Sequence, residues 1–130
     1  MKKVLDRIFI DGLSGMAQGL FATLIIGTII QQIGTFAGDS VGDTIYLIGK
    51  VAAGLTGAGI GAGVARKLDA GHLVIVSAAV AGMVGAFAGD LASGELLVDG
   101  NLILSGPGEP LGAFVAAYVA IELGILVSAK

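Results

Sequence analysis

The sequence predicts an all-α integral membrane protein with four transmembrane helices, and three observations carry that prediction. Mean hydropathy is +0.97 over the 130 residues. Charged residues make up only 13%, against about 25% in a typical soluble domain. Too little polar surface exists to cover a water-facing globule. Glycine numbers 23, far above the roughly 7% of an average protein, and it lies inside apolar runs, where it lets helix backbones approach closely.

The elements follow in chain order. Met1-Lys2-Lys3 and the following apolar residues imitate a signal peptide, with Phe36-Ala37-Gly38 as a cleavage-like site. The charge-free run from Gly12 to Gly38 is much longer than a secretory apolar region, so a retained anchor is expected. Four spans emerge at about Leu13–Ile33, Thr44–Ala65, Leu73–Ala92 and Leu111–Ala129, each near the roughly 20 residues that cross a bilayer. Short connections make neighbouring spans antiparallel within one polytopic domain, residues 1–130. Lys2, Lys3, Arg7, Arg66, Lys67 and Lys130 all fall on one side of these spans, whereas Asp39, Asp43, Asp90, Glu95, Asp99 and Glu109 fall on the other. The positive-inside rule puts the basic side, with both termini, in the cytoplasm of a multi-pass inner-membrane protein.

The outer connection reads as two short strands, Glu95–Val98 and Asn101–Leu104, around Asp99-Gly100. That dipeptide suits a type I′ hairpin turn; an irregular loop is the alternative. The last span is preceded by Gly106-Pro107-Gly108-Glu109-Pro110-Leu111-Gly112, where two prolines forbid continuous helix and glycines permit sharp reversal. A broken backbone bearing an acid at the mouth of an apolar helix is a common way to build a solute or ion site. A tight lead-in turn is the plainer reading.

Gly15/Gly19, Gly57/Gly61, Gly59/Gly63 and Gly85/Gly89 are each spaced by four, one helix face per pair, and close packing is expected of them. Lys50 lies well inside the second span, where an unpaired ammonium costs about 2.5–3.5 kcal/mol. It either snorkels toward Asp43 or finds an acid on another helix. Counting about 1.5 Å per residue from the cytoplasmic ends puts Lys50 near 24 Å, Glu109 near 31 Å and Glu122 near 12 Å. An ion pair between Lys50 and Glu109 is therefore expected. Glu122, in Ala120-Ile121-Glu122-Leu123-Gly124, needs a cation or hydroxyl to offset its desolvation. It is read as a proton relay or solute contact, or else as a packing hydrogen bond. Gln18 and Asp11 can join the same polar interior, Asp11 more naturally at the interface, and His72 reads as a cap-region residue. Expected solute-binding residues are Gly106, Gly108, Glu109, Lys50, Glu122 and Gln18.

Several classes fall away. There is no Cys and one His, His72, so disulfides, thiol catalysis and a His/Cys zinc site are excluded. No nucleophile–base set appears, and no cofactor is expected. A net charge of -3 without a basic cluster argues against nucleic acid.

Two blocks resemble a known family. Met16-Ala17-Gln18-Gly19-Leu20-Phe21-Ala22-Thr23-Leu24-Ile25-Ile26-Gly27-Thr28-Ile29-Ile30, followed by Gln32-Ile33-Gly34, is similar to the opening of the second EIIC-like family of the phosphotransferase system. Gly106 to Gly124 is similar to the same family in loop and helix. The family includes proteins regarded as toxin-gene regulators, and its members run to well over twice this length. The resemblance therefore covers their N-terminal portion. It implies either a short form completed by homo-oligomerisation or a truncated or designed chain. It also implies a sugar or small-solute permease module in the bilayer, not an enzyme; phosphorylation of the sugar would need a separate phospho-Cys or phospho-His domain. Two other readings stay open: a non-transporting membrane regulator or scaffold, and a rotor-ring proteolipid with Glu122 as proton carrier.

Overall fold

A computed structural model describes residues 2–94, 97, 98, 100–102 and 106–128. Helix α1 runs unbroken from Lys3 to Ala37, 35 residues, or about 52 Å at 1.5 Å per residue. It contains two π-helical stretches, Arg7–Gly12 and Phe21–Ile25. Gly38, with φ +66°, reverses the chain into α2, Asp39–Gly54. Then come α3, Thr56–Lys67, α4, His72–Ala86, the short α5, Ala88–Ser93, and α6, Pro110–Ser128.

Glycine registers hold the helices together. On α1 and α2, a Cβ at Gly34 would lie 2.6 Å from the Gly42 carbonyl oxygen, and one at Gly27 would lie 2.8 Å from that of Gly49. Further along, Gly19 abuts Gly59 and Gly15 abuts Gly63. These pairs step in opposite directions, so α2 and α3 run antiparallel to α1. Gly57 and Gly61 meet Gly82 and Ala78 on α4, and Gly85 of α4 meets Gly112 of α6. Of the pairs predicted by spacing, only Gly89 has nothing within 4 Å. The core that closes over this framework is Ile60, Val64, Phe87, Phe114 and Ile121, all buried, where α6 packs on α3 and α4.

Two spans differ from expectation because their helices break. The second bends by 47° between Asp39–Gly54 and Thr56–Lys67. There the Leu55 N–H donates to the Ala52 carbonyl at 3.2 Å, and the buried Thr56 hydroxyl donates to the Ala53 carbonyl at 2.6 Å. Both bonds replace regular helical pairing. The third span stops at Ala86; the Phe87 N–H donates to the Val84 carbonyl at 3.2 Å, leaving a 15-residue helix, short of the usual 20 or so. By length and hydropathy two helices can cross a membrane, Lys3–Ala37 and Pro110–Ser128, and the bent pair would make a third.

Beyond Ile26, α1 packs against α2 rather than on α4 or α6. This arm exposes Ile29, Ile33, Phe36, Leu47 and Val51, a surface for hydrocarbon rather than water. Of the expected hairpin, the described residues hold Leu97–Val98 and Asn101–Leu102, with Leu97 opposite Leu102 and Val98 opposite Asn101. Glu95, Leu96, Asp99, Ile103 and Leu104 lie outside the described residues.

Candidate functional site

Three backbone interruptions meet at one level of the bundle: the bend at Leu55, the end of α4 at Ala86, and the Gly106–Pro110 turn. Gly54 approaches Gly106, whose carbonyl oxygen would lie 3.9 Å from a Cβ at Gly54. Gly108 has φ +78° and sits so close to Ala86 that a Cβ would meet its carbonyl oxygen at 2.8 Å. The Glu109 N–H donates to that same carbonyl at 2.7 Å, satisfying a group that the broken α4 leaves open. Non-helical backbone at membrane depth is tolerated where it is buried in protein or lines a cavity. Here the interrupted backbone lines clefts.

Two clefts open on this level. One, of about 390 Å³, is lined by Leu47, Lys50, Val51, Gly54, Met83 and Gly106 among others. Its neighbour, of about 320 Å³, is lined by Glu109, Asp90, Gly85, Ala86, Gly89 and Gly112 among others. The sequence thus places Lys50 and Gly106 beside one space and Glu109 beside another.

The expected Lys50–Glu109 ion pair is not formed. Both Glu109 oxygens turn back onto α6: Oε1 accepts from Leu111 N–H at 2.9 Å and Oε2 from Gly112 N–H at 2.6 Å. Pro110 opens the helix, and its missing donor costs nothing there. An acid one residue ahead has the helix N-terminus within reach at no cost in chain ordering, and it meets the favourable end of the helix dipole. A lysine on another helix cannot compete with partners two and three residues away.

Glu122 lies elsewhere. Its Oε1 accepts from Arg7 Nη2 at 3.0 Å, both oxygens lie within 3.2 Å of Arg7 Nε, and its Oε2 accepts from the Tyr118 hydroxyl at 2.8 Å. This is the one ion pair among the described residues. Glu122 thus has both a cation, Arg7, and a hydroxyl, Tyr118, as partners. Arg7 went unforeseen because the first helix begins near Lys3 rather than Leu13, which brings Arg7 onto the bundle. Gly12 lies against the Phe114 ring, which a Cβ at that position would meet at 3.1 Å, and this brings α1 beside α6 at that end. Tyr118, one turn before Glu122, was legible as an i, i+4 neighbour.

Gln18 belongs to a third place, a cleft of about 750 Å³ with Asp11, Arg66, Lys67 and Asp69. The six expected residues therefore do not share one interior. Lys50, Gly106 and Glu109 gather with Gly108 at the level of the breaks, Glu122 is clasped by Arg7 and Tyr118, and Gln18 faces the opposite end. Asp90 is the residue beside Glu109 that the sequence did not single out.

A family model described as "Phosphotransferase system, EIIC" matches residues 10–130. The chain belongs to this EIIC family. Comparison with curated proteins and with solved structures gives no match. Membership makes this EIIC chain a membrane protein of sugar-transport type, the permease component of a phosphotransferase system rather than a catalyst by itself. The lipid-suited helices agree with that assignment.

Proposed function

We propose that this EIIC chain carries a sugar or small solute across the cytoplasmic membrane. It crosses four times with both termini inside, and works as a homo-oligomer. The observation that supports this best is the alignment of three helix interruptions beside two clefts bearing Lys50, Glu109 and Asp90. Transporters gather solute contacts where helices are interrupted and backbone groups are freed. In this reading Lys50, Gly106, Gly108 and Glu109 form the solute site. Gln18 and Glu122 line the route toward the cytoplasm, with Glu122 released from its clasp when the route opens. The apolar arm of α1 and α2, which has no third helix among the described residues, favours completion of the walls by a second copy.

One observation favours the regulator or scaffold reading instead: Glu109 and Glu122 both have all their oxygens engaged by the protein itself. The rotor reading fits poorly, since its proton carrier would stand without a permanent cation. Uptake separates the first two. In vesicles reconstituted with the purified chain and assayed with labelled hexoses, hexitols and disaccharides, Lys50→Met and Glu109→Gln are each expected to lower uptake roughly tenfold. Folded yield by size exclusion should change far less. Equal loss of uptake and yield would make both residues structural.

A further inference from the structure

We propose that the cleft between α1, the end of α3 and the start of α4 binds a phosphoethanolamine group, as carried by a zwitterionic membrane lipid. This goes beyond the transport reading and does not need it. The cleft measures about 750 Å³, and its walls are Asp11, Gln18, Arg66, Lys67 and Asp69, with Ala70 and Ile75 as the apolar part.

Its position follows from the glycine register. Gly15 abuts Gly63, so Asp11, four residues before Gly15, and Arg66, three after Gly63, sit at the same level of two antiparallel helices. Asp11 is also the last charge before the charge-free run Gly12–Gly38. Arg66 and Lys67 end α3, and Asp69 turns the chain with φ 58°. Four charges thus stand at one rim of the apolar bundle, where lipid headgroups lie. None of the four is in an ion pair among the described residues.

The chemistry of the walls selects the ligand. A guanidinium fork and an adjacent ammonium suit a phosphate. Two carboxylates suit a primary ammonium with three donors, and the Gln18 amide can serve either end. Two cations and two anions balance. A purely anionic headgroup would leave both acids opposed to it, and a cationic ligand would leave both bases unmatched. A phosphate joined to a primary amine answers both pairs.

The test uses the full chain in a neutral detergent and native mass spectrometry. Phosphatidylethanolamine, phosphatidylglycerol and phosphatidylcholine with identical acyl chains are offered at equal concentration. Each charge-assisted hydrogen bond is worth about one order of magnitude in binding, so phosphatidylethanolamine should be retained about tenfold over the other two. Phosphatidylcholine keeps the charge but has no N–H to donate. Asp11→Asn with Asp69→Asn should remove that preference, and Asn suits the left-handed backbone at position 69. Arg66→Gln, at an exposed side chain, should weaken phosphatidylethanolamine retention without disturbing the fold, as read from helical circular dichroism. Displacement of lipid by free phosphoethanolamine would show that the headgroup suffices. Saturable binding of free phosphoethanolamine without lipid retention would assign a soluble ligand of the same class. Equal retention of all three lipids without displacement, or a preference unchanged in the Asp11→Asn, Asp69→Asn variant, would overturn the proposal.

Discussion

Gly61→Val is expected to abolish the folded protein. A Cβ at Gly61 runs into the Ala78 carbonyl oxygen, with the Ala79 Cα 3.1 Å away. The obstacle is backbone of a packed helix, which cannot turn aside as a side chain can. Overpacking typically costs about 1–3 kcal/mol and more where nothing can yield, so a loss above about 3 kcal/mol is expected. In bilayers no hydrophobic force draws helices together, and close contact at small residues supplies much of what replaces it. Gly61→Val should therefore elute as aggregate from mild detergent and lose its cooperative unfolding in denaturing detergent. Gly89→Ala is the matched control. Gly89 is helical with nothing within 4 Å, and alanine there should be neutral or gain about 0.5–1 kcal/mol.

The second large effect concerns the Arg7–Glu122–Tyr118 clasp, which joins the first and last helices across 115 residues of sequence. Arg7→Met is expected to destabilise the chain by about 1.5–3 kcal/mol, the range for hydrogen bonds to charged groups. The low end applies, since the Arg7 and Glu122 side chains keep 33% and 38% exposure and water partly screens them. Tyr118→Phe should cost about 1 kcal/mol, one hydrogen bond. A double-mutant cycle with Arg7→Met and Glu122→Gln isolates the pair. A coupling near zero, with both single variants as stable as the parent chain, would show that the clasp holds nothing.

The residues that were legible in the sequence, and those that were not, differ in kind. Spacing by four exposed the seam at Gly15, Gly19, Gly59 and Gly63, because one helix face needs only local periodicity. The seam at Gly27, Gly34, Gly42 and Gly49 is spaced by seven, which also returns to one face, yet isolated glycines so far apart in apolar sequence attract no notice. The bend at Leu55 has no proline and no charge to announce it. The bend is accompanied by a threonine hydroxyl bond to the Ala53 carbonyl, and hydropathy is blind to that. Counting rise per residue brings Lys50 nearer the level of Glu109 than of Glu122, and Lys50 and Glu109 line two neighbouring clefts. The same counting could not see that Glu109 has two backbone donors closer than any lysine. Arg7 reads as a flanking charge when the apolar span is counted from Leu13, but the helix itself begins ten residues earlier, at Lys3.

The absence of cysteine from the sequence makes the central claim, a bundle that crosses the membrane with its broken helices toward one face and its basic rim toward the other, directly measurable. Ser40→Cys and Lys67→Cys, both at exposed positions, place one thiol in the α1–α2 turn and one at the basic rim. With a membrane-impermeant maleimide, Ser40→Cys should label in intact spheroplasts and Lys67→Cys only in inverted vesicles. Labelling of both from the same face, or from both faces at once, would contradict the account.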